Sequence, residues 1–331
     1  MIGADGAVPA RLLAPIQRLL HRYGLEDATE IVPLSGGQLN HVLKINARYV
    51  LRYREAPFAS GSLRREARVL QWVRGAAPAP ESLGAGVDDI LGEYHLQTAL
   101  PGESLLTAWL SNPEVSTREW WMQQWVECIR AIHGVRFENP GEIRHDGLHP
   151  SPNWRAYVEG RIRSRVDRLL RQAGADRELA LASERFMRRR AAVLVDGPFG
   201  LIHRDLHFGN VLVDGPKVTA ILDFELAEVG PPDYELDTIY RFLSYPWLYV
   251  EPALAQRTTP TRFASVWPRL RRGYPELFTI PHLRERLSLY ALDQALSRLL
   301  QSFSGGWDGQ AIRPAIVEHI GAILRDEYGH L

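Results

Sequence analysis

The sequence contains little cysteine, little lysine and no long apolar run. Cys128 is the single cysteine, which excludes an intramolecular disulfide and is typical of a reducing compartment. Lys44 and Lys217 are its two lysines, so arginine supplies nearly all of the positive charge. No stretch approaches the roughly 18 apolar residues that a membrane-spanning helix needs. Residues 1–10 have neither the basic start nor the apolar centre of a secretory signal.

The chain also lacks net charge. Its formal net charge is zero and its pI is about 7.2. The overall charge therefore does not favour binding to nucleic acid or to an anionic membrane. We expect a cytoplasmic protein that binds neither.

The length and the hydrophobic pattern predict two lobes. With 331 residues, 45% of them hydrophobic, the chain is long for one compact domain. Its first part predicts a five-stranded antiparallel sheet with helices, a small lobe that covers residues 1–98. The predicted helices are Pro9–Tyr23 and Ser62–Arg74, and the strands are Ile31–Leu34, His41–Ile45, Tyr49–Tyr53, Ser82–Val87 and Glu93–Thr98.

Beyond residue 98 the pattern is mainly helical and predicts a large lobe over residues 99–331. Ser116-Thr117-Arg118-Glu119 matches a capping box that would open a helix ending at His133. The segment Asn139–Asn153 is interrupted by Pro and Gly and is predicted to be a loop. Further helices are predicted over Trp154–Arg171 and Arg177–Leu194, and again from Pro232 onward. The whole is an α+β, bilobal architecture.

Residues 203 to 210 carry the clearest chemical signal. They read His-Arg-Asp-Leu-His-Phe-Gly-Asn and match the kinase catalytic-loop pattern H-R-D-L-x-x-x-N at every specified position. Asp223 follows thirteen positions after Asn210. Phosphoryl transfer from a nucleotide needs a carboxylate to orient the attacking hydroxyl and Mg²⁺ to bridge the phosphates. Asp205 is the candidate catalytic residue, and Asn210 and Asp223 are candidate Mg²⁺ ligands.

The predicted strand and hairpin around this loop should hold the side chains of Asp205, Asn210 and Asp223 close together on one side of the loop. Phe199–Ile202 is predicted to be a strand that enters the loop, and Asp214-Gly215 is a hairpin turn signal between two apolar runs. His203, at the end of that strand, is expected to be a structural hydrogen-bonding residue. His207 could face the phosphates or be a solvated loop residue.

With these motifs the chain resembles the aminoglycoside phosphotransferase and choline kinase-like family of small-molecule kinases. The resemblance covers most of the chain. Its motifs are Leu34-Ser35-Gly36-Gly37 with Asn40, Val50-Leu51-Arg52, Glu66, Pro101-Gly102, the catalytic segment, Ile221-Leu222-Asp223, and Gly230-Pro231-Pro232 with Glu235-Leu236.

The resemblance implies a protein kinase-like fold and ATP or GTP as phosphate donor. It implies that Arg52 contacts the α- and β-phosphates and that Glu66 pairs with Arg52. It also implies that Asp205 is the catalytic residue and that Asn210 and Asp223 are the Mg²⁺ ligands. The remaining nucleotide contacts that it implies are Ser35, Gly36, Gly37, Val50 and the backbone from Gln97 to Ala99.

Several features separate the chain from protein kinases. The glycine loop has two glycines, the second metal segment is Asp223-Phe224-Glu225 where protein kinases have D-F-G, and no A-P-E follows. Arg52 stands where the nucleotide lysine is expected; it keeps the charge but has a forked geometry. Lys44 is a poor substitute. We therefore predict a small hydroxylated acceptor, while a protein kinase-like or non-catalytic nucleotide-binding module remains an alternative.

Charge gives one indication about the acceptor. Between Trp154 and Arg190 there are eleven arginines against five acidic residues. If these arginines border the pocket, they disfavour a polycationic aminoglycoside, which needs acidic partners. A neutral or weakly charged antibiotic of the nucleoside, peptide or macrolide type is then favoured, and the enzyme would confer resistance. A solvated outer face is the other interpretation of these arginines. A metabolic acceptor (a sugar, an amino alcohol or a homoserine-like compound) also stays open.

Overall fold

The computed structural model describes residues 8–25, 29–34, 40–54, 62–112, 114–250, 252–303 and 309–328. Within these ranges no helix is both long and apolar enough to cross a membrane.

The first part of the chain forms the predicted five-stranded antiparallel sheet. Its strands run in the order β1-β2-β3-β5-β4. Alternating apolar residues of the sheet, among them Leu43, Leu51 and Leu96, pack in one cluster with the apolar stripe of helix α1. The elements are α1 (Ala10–Arg22), β1 (Ile31–Pro33), β2 (His41–Ile45), β3 (Tyr49–Arg54), α2 (Ser62–Val73), β4 (Ser82–Asp88) and β5 (Gly92–Thr98).

Helix α2 connects this sheet to the rest of the molecule. Val69, Leu70 and Val73 of α2 are buried and belong to the large hydrophobic cluster of the second part of the chain. Glu66 of the same helix is buried and hydrogen-bonds to side chains of the sheet. The helix is therefore shared between the two lobes.

The second part of the chain combines helices with two small sheets. One sheet has the order β7-β10-β13-β8-β9 and the other β12-β11-β6. The strands are β6 (Glu103–Ser104), β7 (Arg136–Phe137), β8 (Gly141–Arg144), β9 (Gly147–Pro150), β10 (Phe199–Ile202), β11 (Val211–Asp214), β12 (Lys217–Ile221) and β13 (Glu228–Gly230). The helices are α3 (Leu105–Ser111), α4 (Val115–His133), α5 (Trp154–Arg171), α6 (Arg177–Arg190), α7 (Tyr234–Ser244), α8 (Pro252–Ala255), α9 (Val266–Gly273), α10 (Leu283–Gln301) and α11 (Gly309–Leu324).

Two local predictions are wrong. Helix α4 begins at Val115 with Glu114 as its N-cap residue, and the Ser116 and Thr117 hydroxyls donate to the Glu114 carboxylate at 2.5 and 3.0 Å. The predicted capping box at Ser116 is therefore absent, although the helix ends at His133 as expected. The predicted loop over 139–153 contains the hairpin β8–β9, whose strand β8 pairs with the distant strand β13.

An aromatic cluster supports the catalytic segment from below. Phe208, within that segment, is fully buried, and its ring centre lies 5.1 Å from that of Trp109, 5.3 Å from Trp125 and 5.3 Å from Phe242. Ring pairs at these separations stabilise a core beyond the area they bury. The loop that follows β10 is thus anchored to a rigid base.

Candidate active site

Glu235 of α7 fixes the backbone at the start of the catalytic segment. Its two carboxylate oxygens accept from the amides of His203 at 2.7 Å and Arg204 at 3.0 Å. The Thr238 hydroxyl donates to the Arg204 carbonyl at 2.8 Å. Arg204 has a φ of 69°, in the left-handed region that is costly for a residue with a side chain. These bonds hold the chain in that conformation immediately before Asp205.

His203 joins the two halves of the site. Its Nδ1 accepts from the Asp205 amide at 3.2 Å, so its Nε2 carries the proton and donates to the Leu222 carbonyl at 2.8 Å. Leu222 directly precedes Asp223. The predicted structural role of His203 therefore corresponds to two hydrogen bonds that connect Asp205 to the strand end that carries Asp223.

Asp205, Asn210 and the neighbourhood of Asp223 come together as the motif predicts. The Asn210 side-chain amide nitrogen donates to the Asp205 carbonyl at 2.8 Å and to Asp205 Oδ2 at 3.1 Å. The Leu222 amide donates to the Asn210 carbonyl at 2.8 Å. Because the amide nitrogen of Asn210 is engaged by Asp205, its amide oxygen is the group left for another ligand.

The donor set of this cluster fits Mg²⁺. An amide oxygen from Asn210 and a carboxylate from Asp223 are hard oxygen ligands, and Mg²⁺ is usually held by one or two such side chains together with phosphates and water. Within the described ranges, no group of three or more His, Cys, Asp or Glu side chains forms a metal cage of protein ligands alone. Asn210 and Asp223 are thus suited to a metal that arrives with a nucleotide.

The surroundings of Asp205 raise the pKa of its carboxyl group. Burial, and next the negative charge of Asp223, raise the pKa of Asp205 to about 7. A carboxylate that ionises near neutral pH is well matched to general base catalysis. The surroundings of Asp205 therefore support the chemistry that the motif predicts for it.

His207 lies beside Asp205. Its Nδ1 accepts from the Gly209 amide at 3.0 Å, and its Nε2 lies 3.7 Å from Asp205 Oδ2. Burial, and next the charges of His203 and Arg241, lower the pKa of His207 to about 3. Because its side chain is only 13% exposed, the alternative of a solvated loop residue is wrong.

Arg52 lies at the centre of a cluster of carboxylates. Its Nη1 is 2.5 Å from Glu66 Oε2, and its Nη2 is 3.2 Å from Asp223 Oδ1 and 2.5 Å from Glu225 Oε1. Against the effect of burial, the charge of Arg52 and a hydrogen bond from His95 lower the pKa of Glu66 to about 2. The pair between Arg52 and Glu66 that the resemblance implies is present in the structure.

Glu225 is a residue of the site that sequence reasoning missed. It replaces the glycine of D-F-G, and its carboxylate accepts from Arg52, from the Asn40 amide and from Arg54 Nη2 at 3.3 Å. Arg52 and Arg54 lie on β3 and Asn40 directly precedes β2, whereas Glu225 follows β12. Glu225 therefore joins the two lobes beside Asp223. The sequence shows that Glu225 lies two positions after Asp223, but it does not show which residues Glu225 contacts.

Three further residues predicted to contact the nucleotide are Val50 on β3, Gln97 on β5 and Ala99 directly after β5. Val50 faces Gln97 across the two strands. Gln97 is only 7% exposed, and its side-chain oxygen has no hydrogen-bond partner in the part of the chain that the structure describes. The Ala99 amide donates to the Arg48 carbonyl at 2.8 Å, so the carbonyl of Ala99 is the backbone group left for a base. The predicted contacts Ser35, Gly36 and Gly37 lie outside the described residues.

Seven of the eleven arginines between Trp154 and Arg190 pair with acidic residues. Arg161 binds Glu228 at 2.5 Å and Asp293 at 3.1 Å, and Arg165 also pairs with Asp293. Other arginines of α5 and α6 pair with nearby acids; these pairs are Arg155 and Arg163 with Glu159, Arg185 with Glu178, Arg188 with Glu184, and Arg190 with Asp326. Acids from outside the segment thus offset part of its arginine excess, and the charge argument against a polycationic acceptor is weaker than the count alone suggests.

A cleft elsewhere on the surface is separate from this site. It has a volume of about 440 Å³ and lies between α4 and α9, where Trp120, Met122 and Arg272 line it. None of the predicted site residues contributes to its wall.

Comparison with known proteins gives one family and one fold. The model of the phosphotransferase enzyme family matches residues 30–272. Hygromycin-B 4-O-kinase from Escherichia coli is 32% identical over 111 residues, which are 34% of this chain and 28% of that protein. The aligned region thus spans less than a third of that relative.

Solved structures of aminoglycoside phosphotransferases resemble the whole chain. The structure of APH(4)-Ia has a TM-score of 0.71 at 20% identity and covers 96% of this chain and 99% of that chain. A thermostable mutant of APH(4)-Ia in ternary complex with ADP and hygromycin B has a TM-score of 0.69 at 22% identity, covering 95% and 98%. The GDP and kanamycin complex of APH(2")-IIia has a TM-score of 0.60 at 16% identity, covering 96% and 100%. These likenesses confirm the predicted bilobal α+β kinase-like fold.

Proposed function

The chain belongs to the phosphotransferase enzyme family, and from this premise we propose that it is an Mg²⁺-dependent small-molecule kinase. It transfers the γ-phosphate of ATP or GTP to a hydroxyl group of an antibiotic or a similar hydroxylated compound. The single observation that carries this proposal is the arrangement of Asp205, Asn210 and Asp223. One carboxylate with a pKa near neutrality lies beside two oxygen ligands suited to Mg²⁺.

In this proposal the nucleotide lies between the lobes, with residues 1–98 as the nucleotide-binding lobe and residues 99–331 as the catalytic and acceptor-binding lobe. Arg52, held by Glu66, contacts the phosphates. Asn210 and Asp223 would hold Mg²⁺, which would offset the negative charge of the phosphates. The further nucleotide contacts are Ser35, Gly36, Gly37, Val50, Gln97 and Ala99.

Asp205 acts on the acceptor. Its carboxylate accepts a hydrogen bond from the acceptor hydroxyl, aligns that hydroxyl with the γ-phosphate and takes its proton as the new bond forms. The hydrogen bond from Asn210 and the aromatic cluster under Phe208 fix the carboxylate for this task. Most of the rate enhancement then comes from positioning and electrostatics.

For the acceptor we propose an antibiotic, with hygromycin B as the first compound to test. The relative that phosphorylates hygromycin B supports this choice. The pairing of Arg161 and Arg165 with Glu228 and Asp293 supports it as well, because it weakens the reason to disfavour a cationic acceptor. The enzyme would work in the cytoplasm, where its nucleotide and Mg²⁺ are available.

Expression in a sensitive bacterium tests this function. Wild-type protein should raise the inhibitory concentration of at least one antibiotic in a panel of aminoglycosides, macrolides, nucleoside antibiotics and peptide antibiotics. The Asp205→Ala variant, expressed at the same level, should give no protection. Equal protection by both proteins would contradict phosphorylation as the cause. Protection against nothing would leave the metabolic acceptors to be tried with purified enzyme.

A further inference from the structure

A row of four side chains, of which the central two are buried, crosses the small lobe and ends at Arg52. Ser82 of β4, His95 of β5, Glu66 of α2 and Arg52 of β3 contact one another in this order. We propose that His95 is a positioning residue for nucleotide binding, because it holds Glu66 in the orientation that directs Arg52 toward the phosphates. This inference rests on the proposed function, which assigns the phosphates to Arg52.

The distances define the row. His95 Nε2 lies 3.1 Å from the Ser82 hydroxyl, and His95 Nδ1 lies 3.2 Å from Glu66 Oε2. The same oxygen of Glu66 accepts from Arg52 Nη1 at 2.5 Å. His95 and Arg52 are also direct cross-strand partners in β5 and β3. His95 is fully buried and Glu66 is 1% exposed, so water does not replace these contacts.

The chemistry of the partners sets the direction of each hydrogen bond. An ionised carboxylate only accepts hydrogen bonds, so Nδ1 of His95 donates to Glu66. In a neutral imidazole Nε2 is then the acceptor, and the Ser82 hydroxyl donates to it. Glu66 therefore selects the tautomer of His95 that donates from Nδ1, and the Ser82 hydroxyl satisfies the acceptor Nε2.

This support matters because other carboxylates compete for Arg52. Asp223 and Glu225 both contact Nη2 of the guanidinium, on the side of the metal ligands. Glu66 pairs with Nη1 and keeps the guanidinium from turning fully toward Asp223 and Glu225. Without the donor from His95, the buried Glu66 carboxylate loses a charge-assisted hydrogen bond and, among the described residues, is held only by Arg52 and the Phe224 amide. Arg52 would then pair mainly with Asp223 and Glu225 and be less available to phosphates.

Calorimetric titration of the full chain with Mg²⁺ and the non-hydrolysable analogues AMP-PNP and GMP-PNP tests the role of His95. His95→Leu removes the donor and should weaken binding of the preferred analogue by about tenfold, the effect of one charge-assisted hydrogen bond. His95→Asn keeps an N–H donor near the position of Nδ1 and should restore binding to within about threefold of wild type. The KM for the acceptor should be the same in wild type and His95→Asn.

Tyr94→Phe is the matched control. Tyr94 is the neighbouring buried residue on β5, and its hydroxyl lies 3.1 Å from that of Tyr23 at the opposite face of the sheet. The variant loses the hydrogen bonds of the Tyr94 hydroxyl with Tyr23 and Arg22 and should bind both analogues as wild type does. Ser82→Ala, which removes only the hydroxyl that donates to His95 Nε2, should weaken binding less than His95→Leu does.

Two results would overturn the inference. One is unchanged analogue affinity in a folded His95→Leu protein. The other is equally weak binding by His95→Leu and His95→Asn, because the role of His95 would then be packing. If His95→Leu does not fold, the analogue affinities of Ser82→Ala and His95→Asn test the inference instead. An unchanged affinity in Ser82→Ala would then contradict a role of the row in nucleotide binding. If wild-type protein binds neither analogue, the proposed function itself fails.

Discussion

Asp205 is the residue on which the proposed chemistry depends. Asp205→Ala removes the carboxylate that orients the acceptor hydroxyl and accepts its proton. Turnover should fall by several orders of magnitude, while the affinity for Mg²⁺ and AMP-PNP should stay close to that of wild type, since Asn210 and Asp223 are intact. Steady-state kinetics and calorimetry measure the two effects. Turnover within about tenfold of wild type would contradict the assignment of Asp205.

The raised pKa of Asp205 also predicts how its replacement changes stability with pH. The folded state holds this proton more tightly than the unfolded chain, because burial and the charge of Asp223 raise the pKa to about 7. The stability that this contributes is present below the unfolded pKa of about 4 and is lost as the pH rises through about 7. At pH 8, Asp205→Asn should therefore unfold at a higher temperature than wild type.

Calorimetric unfolding of the metal-free proteins measures this difference. The gain in Tm at pH 8 should be at least about 2 °C, which corresponds to about 1 kcal/mol in a chain of this size. At pH 4 the gain should be smaller, because Asp205 is then protonated in the folded wild type. A gain that is larger at pH 4 than at pH 8 would show that the charge of Asp205 is not destabilising.

Sequence reasoning was most effective for contiguous catalytic residues. Asp205 and Asn210 belong to one eight-residue motif, and the structure joins their side chains by a hydrogen bond. Glu225 and His95 were not predicted as partners of this site. Glu225 reaches Arg52 across 173 positions of the chain, and His95 reaches Glu66 across 29. Such contacts depend on the packing of separate elements, which no local pattern contains.

At the scale of secondary-structure elements, Asp233 joins α7 to α10. It is fully buried just before α7 and accepts from Arg286 Nε at 2.6 Å, Arg286 Nη2 at 3.0 Å and the Tyr290 hydroxyl at 3.0 Å. Asp233→Ala should lower the free energy of unfolding by about 3–5 kcal/mol, because it leaves the Arg286 guanidinium buried without its partner. Urea denaturation measures this loss.

The control for Asp233 is an exposed ion pair. Arg188 and Glu184 lie four residues apart on α6, and the Arg188 side chain is 65% exposed. Glu184→Ala should change the free energy of unfolding by less than about 0.5 kcal/mol. Similar losses in the two variants would contradict the view that burial makes the Asp233 contact the stronger one.

Elements with strong periodicity were predicted well, and elements that depend on distant partners were not. Helix α5 has the predicted bounds, and the five strands of the first sheet were all anticipated. Hairpin β8–β9 was predicted as a loop because its stability comes from pairing with β13, more than eighty residues along the chain. The start of α4 was misplaced because Glu114, a poor N-cap residue by type, precedes two hydroxyl residues that mimic a cap.

At the scale of the whole molecule, nucleotide and metal should hold the two lobes together. Asp223 follows β12 in the second part of the chain and contacts Arg52 of the first sheet. Mg²⁺ with AMP-PNP should therefore raise the Tm of wild-type protein, since a ligand that binds only the folded state stabilises it. Asp223→Ala should abolish this Mg²⁺-dependent shift and the calorimetric binding signal. Unchanged affinity for the Mg²⁺ nucleotide in this variant would argue against Asp223 as a metal ligand.

The arginine excess between residues 154 and 190 does not identify the acceptor. The sequence shows an excess of arginine between residues 154 and 190, but not that Arg161 and Arg165 point inward to Glu228 and Asp293. Asp293 of α10 is 1% exposed and pairs with Arg161. Counting charges along a segment could not reveal this neutralisation, because the partners come from β13 and α10.

Transfer of labelled phosphate by purified protein tests the central claim most directly. Wild-type protein, Mg²⁺ and γ-labelled ATP or GTP are incubated with hygromycin B, kanamycin, a macrolide, a nucleoside antibiotic, sugars, amino alcohols, homoserine and a serine peptide. We predict that label appears on at least one small molecule, depends on Mg²⁺ and is lost in Asp205→Ala. Label on the peptide alone, or equal labelling by wild type and Asp205→Ala, would contradict the account.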